Sequence, residues 1–205
     1  TPTGTPLLIG SIYQETSPSV PGTVTEGPDT LNAWVKWTNI HGGIGGHPVK
    51  AFILDDKGDP SVGLADAKTL VQSDHVIAIV GQNASVSDQT WGPYVLQQKV
   101  PVIGGQDNDS LPFTNPMFYP VGADVVANVW GIMKAIAVQG VKKIGVVLCT
   151  EIPACVQAQA TFVADAKSLG LDVVYNALAS RTQPSYTAEC LAAKQAGAKA
   201  MAVFV

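Results

Sequence analysis

The chain has 205 residues, of which 12 are lysine or arginine and 16 are aspartate or glutamate, so its formal net charge is −4. Only 14% of the residues are charged and 46% are hydrophobic, which supports a sizeable folded core and excludes a disordered chain. A single arginine, Arg181, and the lack of any basic run exclude the electrostatic footprint of a nucleic-acid-binding protein or a polybasic membrane patch.

Short apolar runs alternate with helix-like segments along the first part of the chain. Residues 1–6 are predicted to form a flexible Pro/Thr-rich tail. Asp59 followed by proline is a typical helix start. Uninterrupted apolar runs of strand length are typical of parallel strands that helices cover on both faces. The predicted strands are residues 7–13, 49–54, 76–80 and 100–104. Three helices are predicted. The first starts at Asp29 or Thr30, the second starts at Asp59-Pro60, and the third spans residues 88–98.

The same alternation restarts after a break near residues 119–123, where AsnPro, TyrPro and ValGly interrupt any long element. The predicted helices are residues 123–139, 154–169 and 186–196, and the predicted strands are residues 143–148, 171–175 and 200–205. We therefore predict an α/β protein with two lobes, residues 7–121 and 122–205, each a parallel sheet sandwiched by helices. The last strand is followed by nothing, so we expect the second lobe to be incomplete.

Three cysteines lie in the second lobe, at positions 149, 155 and 190. Cys149 and Cys155 flank ThrGluIleProAla and are close enough in sequence to close a short disulfide loop. A bridge from Cys149 to Cys190 is the alternative pairing, and three buried thiols are the alternative to any bridge. The spacing matches no zinc motif, so no metal site is predicted.

Motifs for catalysis are missing from the sequence. No GlyxSerxGly nucleophile elbow is present, and no phosphate-binding loop with GlyLys followed by Ser or Thr. GlyGlyIleGlyGly at 42–46 follows a helix rather than a strand, so it is not a dinucleotide fingerprint. We predict that the protein is not an enzyme and needs no cofactor.

Three segments carry a resemblance to a known family. They are the helix and turn TrpValLysTrpThrAsnIleHisGlyGlyIleGlyGlyHisProVal at 34–49, LeuAspAspLysGlyAspPro at 54–60, and ValIleAlaIleValGly at 76–81 before a serine-bearing loop. With these three segments in this order, the chain resembles the leucine/isoleucine/valine-binding extracellular receptors of ABC importers. The resemblance implies the two-lobed type I periplasmic-binding-protein fold, which closes over a small solute. It also implies a monomer that serves an ABC permease, in the periplasm or lipid-anchored at the cell surface.

The candidate binding residues lie in loops that follow strands, where parallel sheets hold their ligands. The resemblance places Ser85 where relatives hold an amino acid's carboxylate, in the loop with Asn83 and Ala84, whereas Ser87 is predicted mainly to cap the next helix. Gln106, Asp107 and Asn108 stand where relatives carry smaller ligand-contacting residues. The remaining candidates are Tyr13, at the end of the first strand, and Glu151, in the second lobe. Trp34 is predicted to pack in the core or on the surface of the lobe, and Trp91 in the core, although a ligand-facing ring is an alternative for Trp91.

These features predict the substrate-binding component of an ABC importer. The expected solute is small and polar: a branched-chain or other amino acid, an amide, urea or a small organic acid. The alternative function is the ligand-binding domain of a membrane receptor or regulator with the same fold.

Overall fold

The computed structural model describes residues 2–18, 26–105, 110–151 and 153–204. The chain divides into two compact units, Thr1–Gly122 and Ala123–Val205. Each unit contains one parallel sheet. None of the described helices combines the length and the apolar character needed to span a membrane.

The described residues of the first unit form five strands in the order β2-β1-β3-β4-β5, and every neighbouring pair is parallel. The strands are β1 (Leu7–Tyr13), β2 (Val49–Asp55), β3 (Ala78–Val80), β4 (Val102–Ile103) and β5 (Phe118–Tyr119). The helices are α1 (Glu26–Ile40), α2 (Pro60–Lys68), α3 (Asp88–Gln98) and α4 (Leu111–Thr114), and a π-helical turn, Thr69–Ser73, continues α2.

Apolar residues of the central strands and of two helices form the core of this unit. Ile12 and Ile79 from the sheet are fully buried against Leu70, Trp91 and Val95. The Trp91 ring stacks on Phe118, with 5.6 Å between ring centroids. This core confirms the prediction that Trp91 packs inside the protein and rules out its alternative role as a ligand-facing ring.

The start of α2 follows the predicted chemistry, whereas the start of α1 does not. The Asp59 side chain caps α2 by accepting from the backbone N–H groups of Ser61 and Val62, at 2.7 and 3.2 Å. Helix α1 begins at Glu26, so the predicted start at Asp29 or Thr30 was wrong. Pro28 does not prevent this, because first-turn N–H groups have no helical partner, and Glu26 and Asp29 both favour a helix N-terminus.

Two short elements were not predicted, namely α4 and β5. Strand β5 has two residues and lies between Pro116 and Pro120, so no hydrophobic period could indicate it. Strand β4 is also limited to two residues, because Pro101 precedes it and Gly104 turns the chain with a φ of +64°.

The second unit has three strands among its described residues, in the parallel order β7-β6-β8. A sheet of three strands agrees with the prediction of a partial second sheet. The strands are β6 (Lys143–Cys149), β7 (Asp172–Ala179) and β8 (Ala200–Phe204), and the helices are α5 (Val125–Val138), α6 (Pro153–Ser168) and α7 (Thr187–Gln195). Strand β6 is buried from Ile144 to Cys149 and packs with Met133 and Phe162 in the core.

A disulfide joins Cys149, the last residue of β6, to Cys155 near the start of α6. The Cα atoms are 5.5 Å apart, and the loop that the bridge closes is the one expected from the spacing in sequence. Cys190 is free and exposed, so the alternative pairing with Cys149 is absent. For a loop this short, the chain-entropy model gives a stabilisation of about 2 kcal/mol.

Candidate functional site

An open cleft of about 700 Å³ lies in the first unit, beside the carboxyl ends of β1, β3 and β4. Parallel sheets bind ligands at this edge, because each strand ends there in a loop that leads to the next element. Backbone and side chains from both the loops and α1 line the cleft: Tyr13, Glu26, Gly27, Thr30, Leu31, Trp34, Gly81, Gln82, Asn83 and Gly105.

Tyr13 ends β1 and lies against the first turn of α1. Only 4% of Tyr13 is exposed, and a Cβ at Gly27 would come within 2.3 Å of its ring. Glycine at position 27 therefore allows the helix to approach the ring. Desolvation raises the pKa of the Tyr13 phenol, and a hydrogen bond with Ser11 offsets part of this rise. The phenol is neutral at physiological pH and presents a polar tip on an apolar ring.

The loop after β3 is anchored to the end of β1 through Asn83. The Asn83 N–H donates to the Ile12 carbonyl at 3.0 Å, and the Gln14 N–H donates to the Asn83 carbonyl at 2.9 Å. The Gln14 side chain, which is 2% exposed, donates from Nε2 to Ser85 Oγ at 3.3 Å and to Asn83 Oδ1 at 3.5 Å. Gln14 therefore joins two of the predicted binding residues.

Ser85 is itself buried, and its hydroxyl faces Gln14. The Gln14 Oε1 atom is buried and has no hydrogen-bond partner among the described residues. An unsatisfied buried acceptor is uncommon in a folded protein and is found more often at functional sites.

Ala84 contributes to the core rather than to the cleft. Its side chain is fully buried in the apolar cluster around Trp91. Its N–H donates to Gln82 Oε1 at 2.8 Å, and its carbonyl accepts from the N–H groups of Ser87 and Asp88. Ala84 thus shapes the loop through its backbone.

Ser87 occupies the N-cap position of α3, but its side chain makes no capping hydrogen bond. The prediction that its hydroxyl caps this helix was therefore wrong. Ser87 Oγ instead donates to Asp56 Oδ2 at 2.5 Å and accepts from Trp91 Nε1 at 3.0 Å. A buried carboxylate is a stronger acceptor than the alternatives available to this hydroxyl.

The loop after β4 contains Gly105, which approaches the loop after β3. A Cβ on Gly105 would lie 2.4 Å from the Gln82 carbonyl oxygen, and the Gly105 φ of +99° also favours glycine. Gln106, Asp107 and Asn108, which were predicted to bind the solute, lie outside the described residues.

Glu151 lies in the second unit, two residues after the end of β6, where its carboxylate joins two loops. Its Oε1 accepts from Ser180 Oγ at 2.5 Å and from the Arg181 N–H at 2.9 Å, and its Oε2 accepts from the Thr150 N–H at 3.2 Å. These contacts connect the carboxyl ends of β6 and β7. The carboxylate predicted to bind a solute thus has protein partners at both oxygens.

The lowered pKa of Glu151 predicts that the folded protein loses stability at low pH. Desolvation acts to raise its pKa, but the hydrogen bonds from Ser180 and from backbone N–H groups outweigh it and hold the pKa below the ordinary value. The stabilisation is therefore present above the unfolded-state pKa of about 4.3 and is lost as pH falls through the lower folded-state pKa.

Urea unfolding followed from pH 6 to pH 3 measures this contribution. Glu151→Gln is expected to lower the free energy of unfolding at pH 6 and to flatten its fall below pH 4. Asp172→Asn, at an exposed position that begins β7, is the matched control for the loss of a carboxylate and should change the free energy of unfolding at pH 6 by less than about 0.5 kcal/mol. A wild-type profile with the same slope as that of Glu151→Gln contradicts the prediction.

Residues that line the cleft but were not named as candidates include Gly27, Trp34 and Gln82, whereas Gln14 contacts the lining residue Asn83 without lining the cleft itself. Trp34 was predicted to pack in the core or on the surface of the lobe; it is 42% exposed and lines the cleft beside Leu31. Gln14 follows β1 directly and Gln82 lies two residues after β3, so the strand-end rule that selected Tyr13 and Asn83 could also have found them. Among the described residues, no cluster of His, Cys, Asp or Glu could hold a metal ion.

The sequence profile of the periplasmic binding protein family matches residues 6–205. The chain belongs to this family. Comparison with curated protein sequences found no match.

Solved structures of solute-binding proteins share the fold of this family member. One is a solute-binding protein of an ABC transporter from Rhodopseudomonas palustris BisB5 in complex with 3,4-dihydroxybenzoic acid, at 21% identity and a TM-score of 0.79. The alignment covers 98% of this chain and 54% of that one. A leucine-binding protein from Thermotoga maritima has 17% identity and a TM-score of 0.78, with 96% of this chain and 55% of that chain covered.

A third structure is a solute-binding protein of an ABC transporter from R. palustris in complex with benzoate. It has 15% identity and a TM-score of 0.78, and the alignment covers 98% of this chain and 56% of that one. The present chain thus spans about half the length of these solved relatives. Likeness at this level of identity shows the fold, and the predicted two-lobed periplasmic-binding-protein fold is confirmed.

Proposed function

We propose that this protein is the solute-binding component of an ABC importer and that it binds its solute without changing it chemically. The observation that carries the proposal is the cleft at the carboxyl ends of β1, β3 and β4, where Tyr13, Gln82 and Asn83 meet. Membership of a family of binding proteins supports the same function. The proposal includes a position outside the cytoplasmic membrane, a monomeric state, closure of two lobes over the solute, and delivery to a membrane permease.

The cleft favours a solute with an apolar body and one strongly polar end. Tyr13, Leu31 and Trp34 offer apolar surface, and the glycines at positions 27 and 105 let the chain approach Tyr13 and Gln82 closely. Gln82 and Asn83 contribute polar groups from the loop after β3, which leads into the N-terminus of α3, and a helix N-terminus favours a carboxylate. Among the predicted solutes, an aliphatic amino acid or a small organic acid such as a benzoate combines these properties.

A thermal-shift screen tests the proposed function on the full-length protein. The panel contains L-leucine, L-valine, acetamide, urea, benzoate and 4-hydroxybenzoate. A solute at 100 times its Kd stabilises the folded protein by about 2.7 kcal/mol and raises the melting temperature. A melting temperature that no member of the panel changes contradicts this proposal.

Ser85 is buried and is not among the residues that line the cleft, so Ser85→Ala tests whether the loop after β3 takes part in binding. We expect the variant to weaken binding of the solute selected by the screen by about 1 to 3 kcal/mol, because a hydrogen bond to a charged group is lost. Isothermal titration calorimetry measures the change. Ser61→Ala is the matched control, since the Ser61 hydroxyl is exposed on α2 and bonds only to Asp59. Equal affinities for the wild type and Ser85→Ala would remove Ser85 from the site.

A further inference from the structure

A buried carboxylate, that of Asp56, lies behind the loop that follows β3. Asp56 comes directly after β2 and is fully buried. Its N–H donates to the Tyr13 carbonyl at 2.8 Å. Its carboxylate accepts from the Gly58 N–H at 2.7 Å and from Ser87 Oγ at 2.5 Å. One residue therefore connects the ends of β1 and β2 with the end of the loop that carries Ser85.

The contact with Ser87 fixes the loop at the point where it enters α3. The Ser87 N–H donates to the Ala84 carbonyl at 2.9 Å, and Ser87 Oγ accepts from Trp91 Nε1 at 3.0 Å. Helix α2 presses on the same point, because a Cβ on Gly63 would lie 2.5 Å from Ser87 Oγ. The Ser87 hydroxyl is thus enclosed by Asp56, Trp91 and Gly63, and the loop from Asn83 to Ser87 is held at both ends.

Burying this carboxylate is costly for the protein. Its two hydrogen-bond donors, the Gly58 N–H and the Ser87 hydroxyl, are both neutral. Desolvation raises the pKa of Asp56 above its ordinary value, and the two hydrogen bonds offset only part of this rise. We take the cost of burying a carboxylate among neutral donors as a sign of a role beyond stability.

We propose that Asp56 is a positioning residue for solute binding, which acts through Ser87 to hold the loop from Asn83 to Ser87 in its binding conformation. The inference rests on the proposed function and extends it to a residue that does not line the cleft. It predicts that affinity depends on the hydrogen bond between Asp56 and Ser87 even in variants that are fully folded.

Calorimetry on the full-length protein tests this inference, with benzoate or L-leucine as the probe, whichever binds the wild type. We expect Asp56→Ala to raise Kd about tenfold or more, because an orienting hydrogen bond is lost. Asp56→Asn keeps the shape and one acceptor, and Ser87 Oγ can turn its proton to the Ala84 carbonyl at 3.3 Å. This conservative variant should therefore stay within about threefold of the wild-type Kd.

A double-mutant cycle separates positioning from general destabilisation. If Asp56 acts through Ser87, then Asp56→Ala combined with Ser87→Ala raises Kd no more than Asp56→Ala alone. Asp59→Asn is the matched control, since it removes the same charge three residues away and retains a good N-cap. A wild-type Kd for folded Asp56→Ala, additive effects in the cycle, or an equal rise for Asp59→Asn would each overturn the inference.

Amide hydrogen exchange of residues 83–91 gives a readout that needs no solute. Asp56→Ala is expected to speed exchange at the N–H groups of Ser87 and Asp88, which donate to the Ala84 carbonyl, while Asp59→Asn leaves them unchanged. If no probe binds the wild type, the proposed function fails, and the exchange rates still decide whether Asp56 holds the loop. Unchanged exchange in Asp56→Ala overturns the inference in either case.

Discussion

Replacing Trp91 by alanine is expected to lower the free energy of unfolding of the first unit by about 3 to 5 kcal/mol. Trp91 is fully buried, stacks on Phe118 and donates its indole N–H to Ser87. The substitution leaves a cavity beneath the sheet and removes a donor from the buried network with Asp56. Both effects destabilise the folded state, since the surrounding side chains relax only in part.

Urea denaturation of the full-length protein, followed by far-ultraviolet circular dichroism, measures the change. Trp37→Ala is the matched control, because Trp37 is 60% exposed on α1 and stacks only on the exposed His41 ring. We expect the control to change the free energy of unfolding by less than about 1 kcal/mol. Similar losses for the two tryptophans would contradict the burial of Trp91.

Phe162→Ala is expected to have an effect of the same size in the second unit, again about 3 to 5 kcal/mol. Phe162 on α6 is fully buried against β6, and its ring meets that of Phe204 edge-on, with 6.5 Å between centroids. Strand β6 supplies the centre of the three-stranded sheet, so a cavity beside it weakens the packing of the whole unit.

The neighbouring residue provides the control for this variant. Val163 follows Phe162 on α6 and is 49% exposed, so Val163→Ala should cost less than about 1 kcal/mol. The same denaturation experiment compares the two variants. A loss for Phe162→Ala no larger than that for Val163→Ala would show that α6 does not pack on the sheet through this face.

Local chemistry made much of the fold predictable from the sequence. Asp59 followed by Pro60 marked the start of α2, and the polar loop before residue 88 and the apolar run after residue 98 bounded α3 correctly at both ends. These signals act over a few residues, so a single sequence contains them. Strand β5 could not be predicted, because two residues paired with a distant strand carry no period of their own.

The candidate site was predictable only where it depends on strand ends. Tyr13 was found because it ends a strand, and Asn83 was found because it lies in the loop after one. Both line the cleft. The partner of Ser87 was missed, since Asp56 lies 31 residues away and only the packing of α2 and α3 brings the two together. Trp34 was missed for a related reason: helical spacing shows which residues share a face but not whether a cleft opens beside it.

Hydrogen exchange of the full-length protein with and without its solute tests the central claim most directly. The claim is that a small solute binds at the carboxyl ends of β1 and β3. The account predicts that saturating solute slows amide exchange in peptides covering residues 10–17 and 81–88 more than in peptides from α2. Unchanged exchange in those two segments, with protection elsewhere in the protein, would contradict it.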